Sequence, residues 1–299
     1  MPSWCFVLLN KSLWCAVAAP WPSWAFCGLW FTAVYKKDRM GVMKILGVGN
    51  HKGGVGKTAS TRALGDVLAG MGLRVLMVDS DHQGSLSLSC GVLDADPCLA
   101  NVYQVGGRDP LALAKVIVKI KPGLDLAPAS LALAAAETEV VSRPGRDFIL
   151  ADALDTVKRS YDICLVDCPP ALGQLVVNAL CAVDSVLIPS PAQPVDLAGV
   201  RMFLRTVDRM RHPRLNPNLT IFGVLLTFFN GRLNTHKDSR AAMLAADWPV
   251  LPMTIPRSVR VAESAATGES IISFEPGNPA AKGYQALGEV VAEWLNVAR

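Results

Sequence analysis

The chain has 299 residues, 51% of them hydrophobic, which is enough for one large domain or two smaller ones. The formal net charge is +4, but residues 1–42 carry +3 of it (four basic residues, one acidic), which leaves +1 for the remainder. This near-neutral balance gives no support to nucleic-acid binding by overall charge, so any such surface must be a local patch. The eight cysteines include no C-x-x-C pair and no zinc spacing. Those from Cys90 onward are expected to be reduced, small apolar residues of a cytosolic protein.

Residues 1–42 differ in composition from the rest of the chain. They hold five of the seven tryptophans, and no charged residue occurs from Ser12 to Tyr35. This span is long enough for a transmembrane helix with a basic flank, although Pro20 and Pro22 lie in its middle. A signal peptide fits poorly because the apolar region is too long. A true start at Met43, a membrane anchor and an unexplained extension remain as alternatives.

The stretch from Lys52 to Thr58 reads Lys-Gly-Gly-Val-Gly-Lys-Thr. It follows the apolar run Ile45–Gly49 and precedes a segment whose apolar residues have helical spacing. Strand, glycine-rich loop and helix form the context of a phosphate-binding loop, in which backbone N–H groups and the helix N-terminus bind an anion. Lys57 would reach the β- and γ-phosphates, and the Thr58 hydroxyl would ligate Mg²⁺; the alternative is a glycine-rich turn in another α/β protein. The predicted nucleotide-binding residues here are Gly53, Gly54, Val55, Gly56, Lys57, Thr58 and Ala59.

Two further apolar runs end in aspartate. Leu73–Asp79 and Tyr161–Asp167 are typical of buried parallel strands, and sites in open α/β sheets form at the carboxyl ends of such strands. Two prolines follow Asp167 and fix a turn, as in a Walker B-like strand. Asp167 is therefore predicted to hold Mg²⁺ directly or through water. The alternative for these aspartates is that they cap the helices that follow.

The phosphate loop departs from the general pattern at one position and has an unusual residue at the next. His51 stands where that pattern has glycine, and a second lysine, Lys52, heads the loop. With this lysine the loop resembles the deviant Walker A loop of the ParA/MinD family of ATPases. The segment Asp79–Gly84 is similar to that family's stretch of two aspartates, proline, glutamine and glycine, with His82, expected to be a plain loop residue, in place of the proline.

The resemblance implies roles for individual residues. Lys52 would cross a dimer interface to the partner's nucleotide and offset charge on the transferring phosphoryl group, as arginine fingers do. Asp81 would position or activate the attacking water, and Asp79 would help to organise Mg²⁺ through water. The segment Thr254–Ser264 resembles a family segment whose backbone helps to hold adenine. The candidates in that segment are Pro256 and Arg257.

A helix is predicted from Leu197 to about Arg211, and three arginines four residues apart form one basic stripe on it. ParA-like ATPases bind DNA non-specifically through basic surface residues near this helix and the next loops, which fits contact with the phosphate backbone. The alternative is a solvated helix face, partly paired with Asp196 and Asp208. The candidates for DNA contact are Arg201, Arg205, Arg209 and Arg232.

Residues 43–299 are therefore identified as a member of the ParA/Soj-type partition ATPases. The fold implied is a single-domain α/β P-loop NTPase with a mostly parallel twisted sheet and helices on both faces. The resemblance further implies ATP and Mg²⁺ as cofactors, an ATP-dependent homodimer, non-specific binding of double-stranded DNA, a ParB-like stimulator and a cytoplasmic, nucleoid-associated location. One alternative is a MinD-like membrane-associated positioning ATPase, which gains if residues 12–35 insert into a membrane. Another is an iron–sulfur reductase, which the cysteine spacing disfavours.

Overall fold

The computed structural model describes residues 43–103 and 109–297. Its eight strands form one sheet in the order β3-β4-β2-β5-β1-β6-β7-β8. The β3–β4 pair is antiparallel, and the other six pairings are parallel. The strands are β1 Lys44–Val48, β2 Val75–Asp79, β3 Val118–Lys121, β4 Leu124–Ala127, β5 Ile163–Asp167, β6 Ser185–Pro191, β7 Thr220–Thr227 and β8 Val250–Ile255.

Helices follow most of the parallel strands, as crossover connections between parallel strands require. Short 3₁₀ turns at Leu113–Lys115 and Arg146–Phe148 add to them. The α-helices are α1 Lys57–Gly70, α2 Ser85–Ser89, α3 Leu99–Val102, α4 Ala132–Val140, α5 Ile149–Asp155, α6 Gln174–Ala182, α7 Pro194–Met210, α8 Asn234–Ala245, α9 Val259–Ala266, α10 Ile271–Phe274 and α11 Pro279–Val297.

Both faces of the sheet are covered, because successive side chains of a strand point to opposite faces. On β2, Leu76 and Val78 belong to the buried cluster formed with α4 to α7. Met77 lies on the other face against α1, where a Cβ on Gly65 would come within 2.7 Å of the Met77 sulfur. The helix α11 packs against α1 on that same side. The predicted α/β fold with a mostly parallel sheet and helices on both faces is confirmed.

Two local predictions differ from the structure. The basic helix α7 begins at Pro194, three residues before the predicted Leu197, because proline is well suited to the first position of a helix. The edge strand β3 was not predicted, since at four residues its alternation of apolar residues and lysine is too short to be distinctive. Backbone hydrogen bonds to the antiparallel neighbour β4 hold β3 in the sheet, and the sequence pattern alone does not indicate this pairing.

The phosphate loop leaves the sheet at its centre. It follows β1, which lies between β5 and β6 in the sheet. Beyond β5 the sheet continues with β2, β4 and β3, and beyond β6 it continues with β7 and β8. A crevice at such a position, outside the carboxyl ends of the strands, is the usual ligand site of open α/β sheets. Of the helices in the described ranges, none combines the length and apolar character needed to cross a membrane. The predicted anchor at residues 12–35 lies outside the described residues.

A buried ion cluster joins α1 to the edge of the sheet. The Asp66 carboxylate, with a fully buried side chain, accepts from Arg62 at 2.6 Å and pairs with Lys121 at 2.6 Å. Burial alone would raise the pKa of Asp66, but the charges of Arg62 and Lys121 outweigh it, so the pKa lies below the usual 3.8. Stability from this carboxylate is therefore present above pH 3.8 and is lost as the pH falls through the lower folded-state pKa.

We expect Asp66→Asn to lower the free energy of unfolding at pH 7 by roughly 3 kcal/mol, because Arg62 is left buried without its charge partner. The difference from the wild type should shrink as the pH falls below about 4, where the wild-type carboxylate also becomes neutral. Urea unfolding at pH 7 and at pH 3 measures this. Asp155→Asn, which breaks an exposed pair with Lys158, is the control and should change stability by less than about 1 kcal/mol. An equal loss for Asp66→Asn at both pH values would contradict the prediction.

Candidate functional site

The loop between β1 and α1 presents its backbone to solvent. Gly54 and Gly56 have φ of 70° and 90°, a left-handed conformation that side chains other than glycine rarely adopt. A Cβ at Gly53 or Gly54 would meet nothing within 4 Å, and both residues are exposed. Val55 is buried, and its carbonyl accepts from the Thr227 hydroxyl at 2.9 Å. The loop is thus fixed at its base and open at its tip, directly before the N-terminus of α1.

The first residues of α1 connect the loop to its surroundings. The Lys57 ammonium is buried and donates to the Lys52 carbonyl at 3.1 Å. Burial lowers the pKa of Lys57, and the nearby Asp167 opposes that shift. The Thr58 hydroxyl donates to Asp167 Oδ2 at 2.7 Å, so the helix is linked to the end of β5. Ala59 follows in the same turn, half-buried.

Two predicted carboxylates lie side by side at the edge of the sheet. Asp79 and Asp167 are the last residues of β2 and β5, and they are partners in the parallel register. Burial raises the pKa of Asp79 to about 6, although hydrogen bonds from Ser87 oppose the shift. Burial and then the charge of Asp79 raise the pKa of Asp167 to about 8. Burial and mutual repulsion therefore oppose ionisation of both carboxylates together, and a bound cation would favour their ionised forms.

The third predicted carboxylate, Asp81, has a different environment. It is half-buried in the loop after β2, where its Oδ1 accepts from the Gln83 N–H at 3.0 Å. Its backbone N–H donates to Asp79 Oδ1 at 3.3 Å, and His82 Nδ1 lies 3.8 Å from its carboxylate. Its negative charge acts on Lys57 and on Asp167. Asp81 thus belongs to the same cluster of charged side chains as Lys57 and Asp167.

The oxygen atoms of this site fit Mg²⁺. Thr58 and Asp167 present a hydroxyl and a carboxylate 2.7 Å apart, with the Asp79 carboxylate on the neighbouring strand. No set of three or more His, Cys, Asp or Glu side chains in the described ranges converges as a protein-only metal site. Mg²⁺ is commonly bound by one or two carboxylates together with substrate phosphates and water. The donor set therefore matches a metal that is held jointly with a phosphate ligand.

The second lysine of the loop pairs with α7. The Lys52 side chain is 44% exposed, and its ammonium forms an ion pair with Asp196, whose side chain is 2% exposed. Asp196 lies in the first turn of α7, and in the described structure its Oδ2 has no hydrogen-bond partner. The sequence interpretation named Asp196 only as a partner for the arginine stripe, which is wrong. Lys52 is 144 residues away in sequence, and only the fold brings the two together.

His51 adds a second contact between the loop and α7. Its Nε2 lies 2.9 Å from the Thr206 hydroxyl, and its ring meets the Phe203 ring edge to face with centroids 5.0 Å apart. Burial lowers the pKa of His51, aided by the charge of Lys57 and opposed by a hydrogen bond to the Pro170 backbone. His51 departs from the loop pattern, and the sequence alone indicates no role for it. The structure shows that the imidazole contacts two separate segments, α7 and the turn at Pro170.

The predicted adenine residues follow β8. Pro256 is half-buried and Arg257 is exposed, with its guanidinium 5.9 Å from the centroid of the Phe228 ring. The same ring lies 3.9 Å from the position that a Cβ on Gly56 would occupy. Phe228 therefore bridges the phosphate loop and the segment after β8. This places Pro256 and Arg257 beside the loop rather than at a distant edge.

The predicted basic residues all lie on the surface. Arg201, Arg205 and Arg209 are exposed along one face of α7, and Arg232 is exposed in the loop before α8. Within residues 43–103 and 109–297, no ion pair engages these four guanidinium groups. Their charges are therefore available to an anionic partner. The alternative pairing with Asp208 is also wrong, because that carboxylate accepts from Arg211 at 3.0 Å.

Comparison with known proteins gives the same family at the level of sequence and fold. The AAA domain family matches residues 43–221. The sporulation initiation inhibitor protein Soj of Bacillus subtilis is 38% identical over 253 residues, which cover 83% of this chain and 98% of Soj. The chromosome partitioning protein ParA of Caulobacter vibrioides is 34% identical, covering 83% and 94% of the two chains.

A solved structure extends the comparison to three dimensions. The cobyrinic acid a,c-diamide synthase of Mycobacterium smegmatis, solved with an ATP analogue and magnesium, superimposes with a TM-score of 0.75 at 30% identity, covering 86% of this chain and 98% of the synthase. The sequence matches to Soj and ParA span nearly their whole lengths. The chain therefore belongs to the ParA/Soj family of P-loop ATPases, which has the AAA domain.

Proposed function

We propose that this chain is a Mg²⁺-dependent ATPase that partitions DNA. Its ATP-bound form would pair with a second copy, bind double-stranded DNA without sequence preference, and release it after hydrolysis stimulated by a ParB-like partner. The observation that carries this proposal is the exposed second lysine at the head of an open phosphate loop, in a chain related to Soj and ParA. ATP and Mg²⁺ as cofactors are supported by the analogue and magnesium bound to the related synthase.

In this proposal each residue of the loop has a task. The backbone of Gly53 to Ala59 would hold the phosphates, and Lys57 would exchange its bond to the Lys52 carbonyl for the β- and γ-phosphates. Thr58 and Asp167 would hold Mg²⁺, with Asp79 acting through water. When bound, Mg²⁺ neutralises phosphate charge.

Asp81 is the best placed acceptor for the attacking water. Asp79 and Asp167 are buried, and hydrogen bonds already engage their oxygens. Asp81 is half-buried in a loop, next to the same charged group. Phosphoryl transfer requires a water held in line with the leaving oxygen, and a carboxylate within reach of solvent can hold it.

Lys52 would act on the nucleotide of a second subunit. In the single chain its ammonium pairs with Asp196 at the start of α7, while nearly half of its side chain remains exposed. Because nearly half of the Lys52 side chain is in solvent, its ammonium can turn to another anion, at the cost of leaving the buried Asp196 carboxylate without its ion-pair partner. On dimer formation the partner's γ-phosphate would replace Asp196. In this proposal, the ATP-dependent self-association of this chain depends on Lys52 leaving Asp196 for the γ-phosphate bound to the partner.

The domain assignment stays a proposal of the same kind. Residues 43–299 would form the ATPase domain, with Pro256 and Arg257 beside the adenine. Experiment distinguishes the membrane interpretation of residues 1–42 from its alternatives. If the chain is a MinD-like positioning ATPase, the full-length chain should bind liposomes. If it is a partition ATPase, it should bind DNA.

The test of the function is DNA binding by residues 43–299 with ATP or ADP over a range of salt concentrations. Tight DNA binding that does not depend on DNA sequence, weakens with salt and occurs only with ATP supports the partition function. Binding of the full-length chain to liposomes, with no DNA binding in either nucleotide state, would favour the MinD-like alternative.

The basic stripe of α7 gives a sharper prediction. We expect replacement of Arg201, Arg205 and Arg209 by alanine to weaken ATP-dependent DNA binding at every sequence and to flatten the salt dependence. The slope of log K against log salt should fall by about 0.9 for each DNA phosphate that the variant no longer neutralises.

The control for this experiment removes the same charge from residues outside α7. Lys115, Lys119 and Arg159 are also exposed, and their replacement by alanine changes the net charge equally. This second triple variant should keep the wild-type salt slope. Equal slopes for the two triple variants would show that overall charge, rather than the stripe, sets the affinity.

A further inference from the structure

The helix α7 has two opposed faces. One face touches the chain around the phosphate loop through residues spaced three or four apart, and the other carries the arginine stripe. Since successive residues of a helix are about 100° apart, the two sets lie on roughly opposite sides. The loop-facing residues are Asp196, Gly199, Phe203 and Thr206.

The packing on the loop-facing side is close. A Cβ on Gly49, just before the loop, would lie 2.5 Å from the Phe203 ring, so glycine is needed there for the ring to pack. A Cβ on Gly199 would come within 4 Å of Asn50 and Lys52. The His51 imidazole then reaches the Thr206 hydroxyl at 2.9 Å. This close fit leaves little room for the loop to shift without moving α7.

Two of the connections between loop and helix differ in kind. The Lys52–Asp196 ion pair involves an exposed ammonium that the proposed mechanism moves to the partner's nucleotide. The His51–Thr206 contact lies deeper, and Thr206 is 9% exposed. Once Lys52 leaves Asp196, the His51 contact and its ring packing on Phe203 remain to hold the loop and α7 together.

We propose that His51 is a positioning residue that transmits the nucleotide state of the phosphate loop to α7 through Thr206. Thr206 is adjacent to Arg205, and a helix moves as a rigid unit, so a shift of Thr206 displaces the arginine stripe. Glycine, which the general loop pattern has at this position, could not make the contact. The consequence for DNA rests on the proposed function, whereas the coupling between loop and helix does not.

The coupling is tested first without DNA. Amide hydrogen exchange of residues 194–210 is compared with a non-hydrolysable ATP analogue and with ADP, in the chain of residues 43–299. The wild type is expected to exchange more slowly in α7 with the analogue. Thr206→Val and His51→Ala should lose at least half of that difference, and His51→Gln, which keeps a hydrogen-bonding group, should retain most of it.

Thr156→Val is the matched control. Thr156 is exposed at the end of α5 and its hydroxyl bonds a backbone carbonyl of its own helix, as Thr206 does. A merely structural role for His51 would speed exchange of α7 equally in both nucleotide states and leave their difference intact. That result, or a wild-type α7 that does not respond to nucleotide, would overturn the proposal.

The second readout is the ratio of DNA dissociation constants with ADP and with ATP. Thr206→Val should reduce this ratio about tenfold, while Thr156→Val should preserve it. An unchanged ratio in Thr206→Val would show that the nucleotide reaches the stripe by another route. If the wild type binds no DNA in either state, the partition function fails, and hydrogen exchange alone then decides whether His51 couples loop and helix.

Discussion

Lys52→Ala is expected to leave ATP binding within a few-fold of the wild type and to reduce hydrolysis by about 10³-fold or more. Binding persists because the loop backbone, Lys57 and Thr58 are unchanged, and because Lys52 contacts Asp196 rather than the cradle of the loop in the single chain. Hydrolysis fails because no cation from the partner offsets the charge on the transferring phosphoryl group. Isothermal titration with ATP and single-turnover hydrolysis measure the two effects. Wild-type turnover in this variant would contradict the proposed role of Lys52 in offsetting charge on the transferring phosphoryl group.

A loss of stability must be separated from a loss of chemistry in that variant. Removing Lys52 leaves the buried Asp196 carboxylate without its ion-pair partner, which destabilises the fold. The double variant Lys52→Ala with Asp196→Asn removes the unpaired charge and should regain thermal stability without regaining hydrolysis. Asp196→Asn alone frees Lys52 and should still hydrolyse ATP.

Much of this site could be predicted because its signals are local in sequence. The apolar runs that became β1, β2 and β5 each lead directly into a predicted site residue or loop. Parallel strands put Asp79 and Asp167 at the same edge of the sheet, and the strand order seen in the structure makes them neighbours. The glycine pattern likewise requires no tertiary contact, since positive φ at Gly54 and Gly56 is a property of the loop itself.

The partners of α7 could not be predicted in the same way. Asp196 and Thr206 meet Lys52 and His51 across 144 and 155 residues of sequence. Which face of a helix meets a loop depends on how the helix packs, and the polar residues of α7 are equally compatible with solvent. The sequence pattern therefore indicated the exposed arginine stripe, but the alternative that Asp196 pairs with it was wrong, because Asp196 pairs with Lys52. Polar interactions between residues so far apart in sequence can be identified only once the fold is known.

Asp81→Asn is expected to lower hydrolysis by roughly 10² to 10⁴-fold while ATP binding is retained. The amide has the same shape as the carboxylate but cannot take up a proton from the attacking water. The variant should therefore accumulate in the ATP-bound state and stay on DNA when the wild type dissociates. His82→Ala, at the adjacent residue, is the control and should turn over at nearly the wild-type rate. Normal turnover by Asp81→Asn would move the water-positioning role elsewhere.

A mixture of the two inactive variants tests whether Lys52 acts on the other subunit. In a mixed dimer, the Lys52→Ala subunit keeps its own Asp81 and receives Lys52 from the Asp81→Asn subunit, so one complete site forms. An equimolar mixture should recover about a quarter of the wild-type rate, since half of the dimers are mixed and each has one complete site. If Lys52 acted within its own subunit, neither site would be complete and the mixture would stay inactive. Recovery of activity from two inactive chains therefore distinguishes an action across the dimer from one within the subunit.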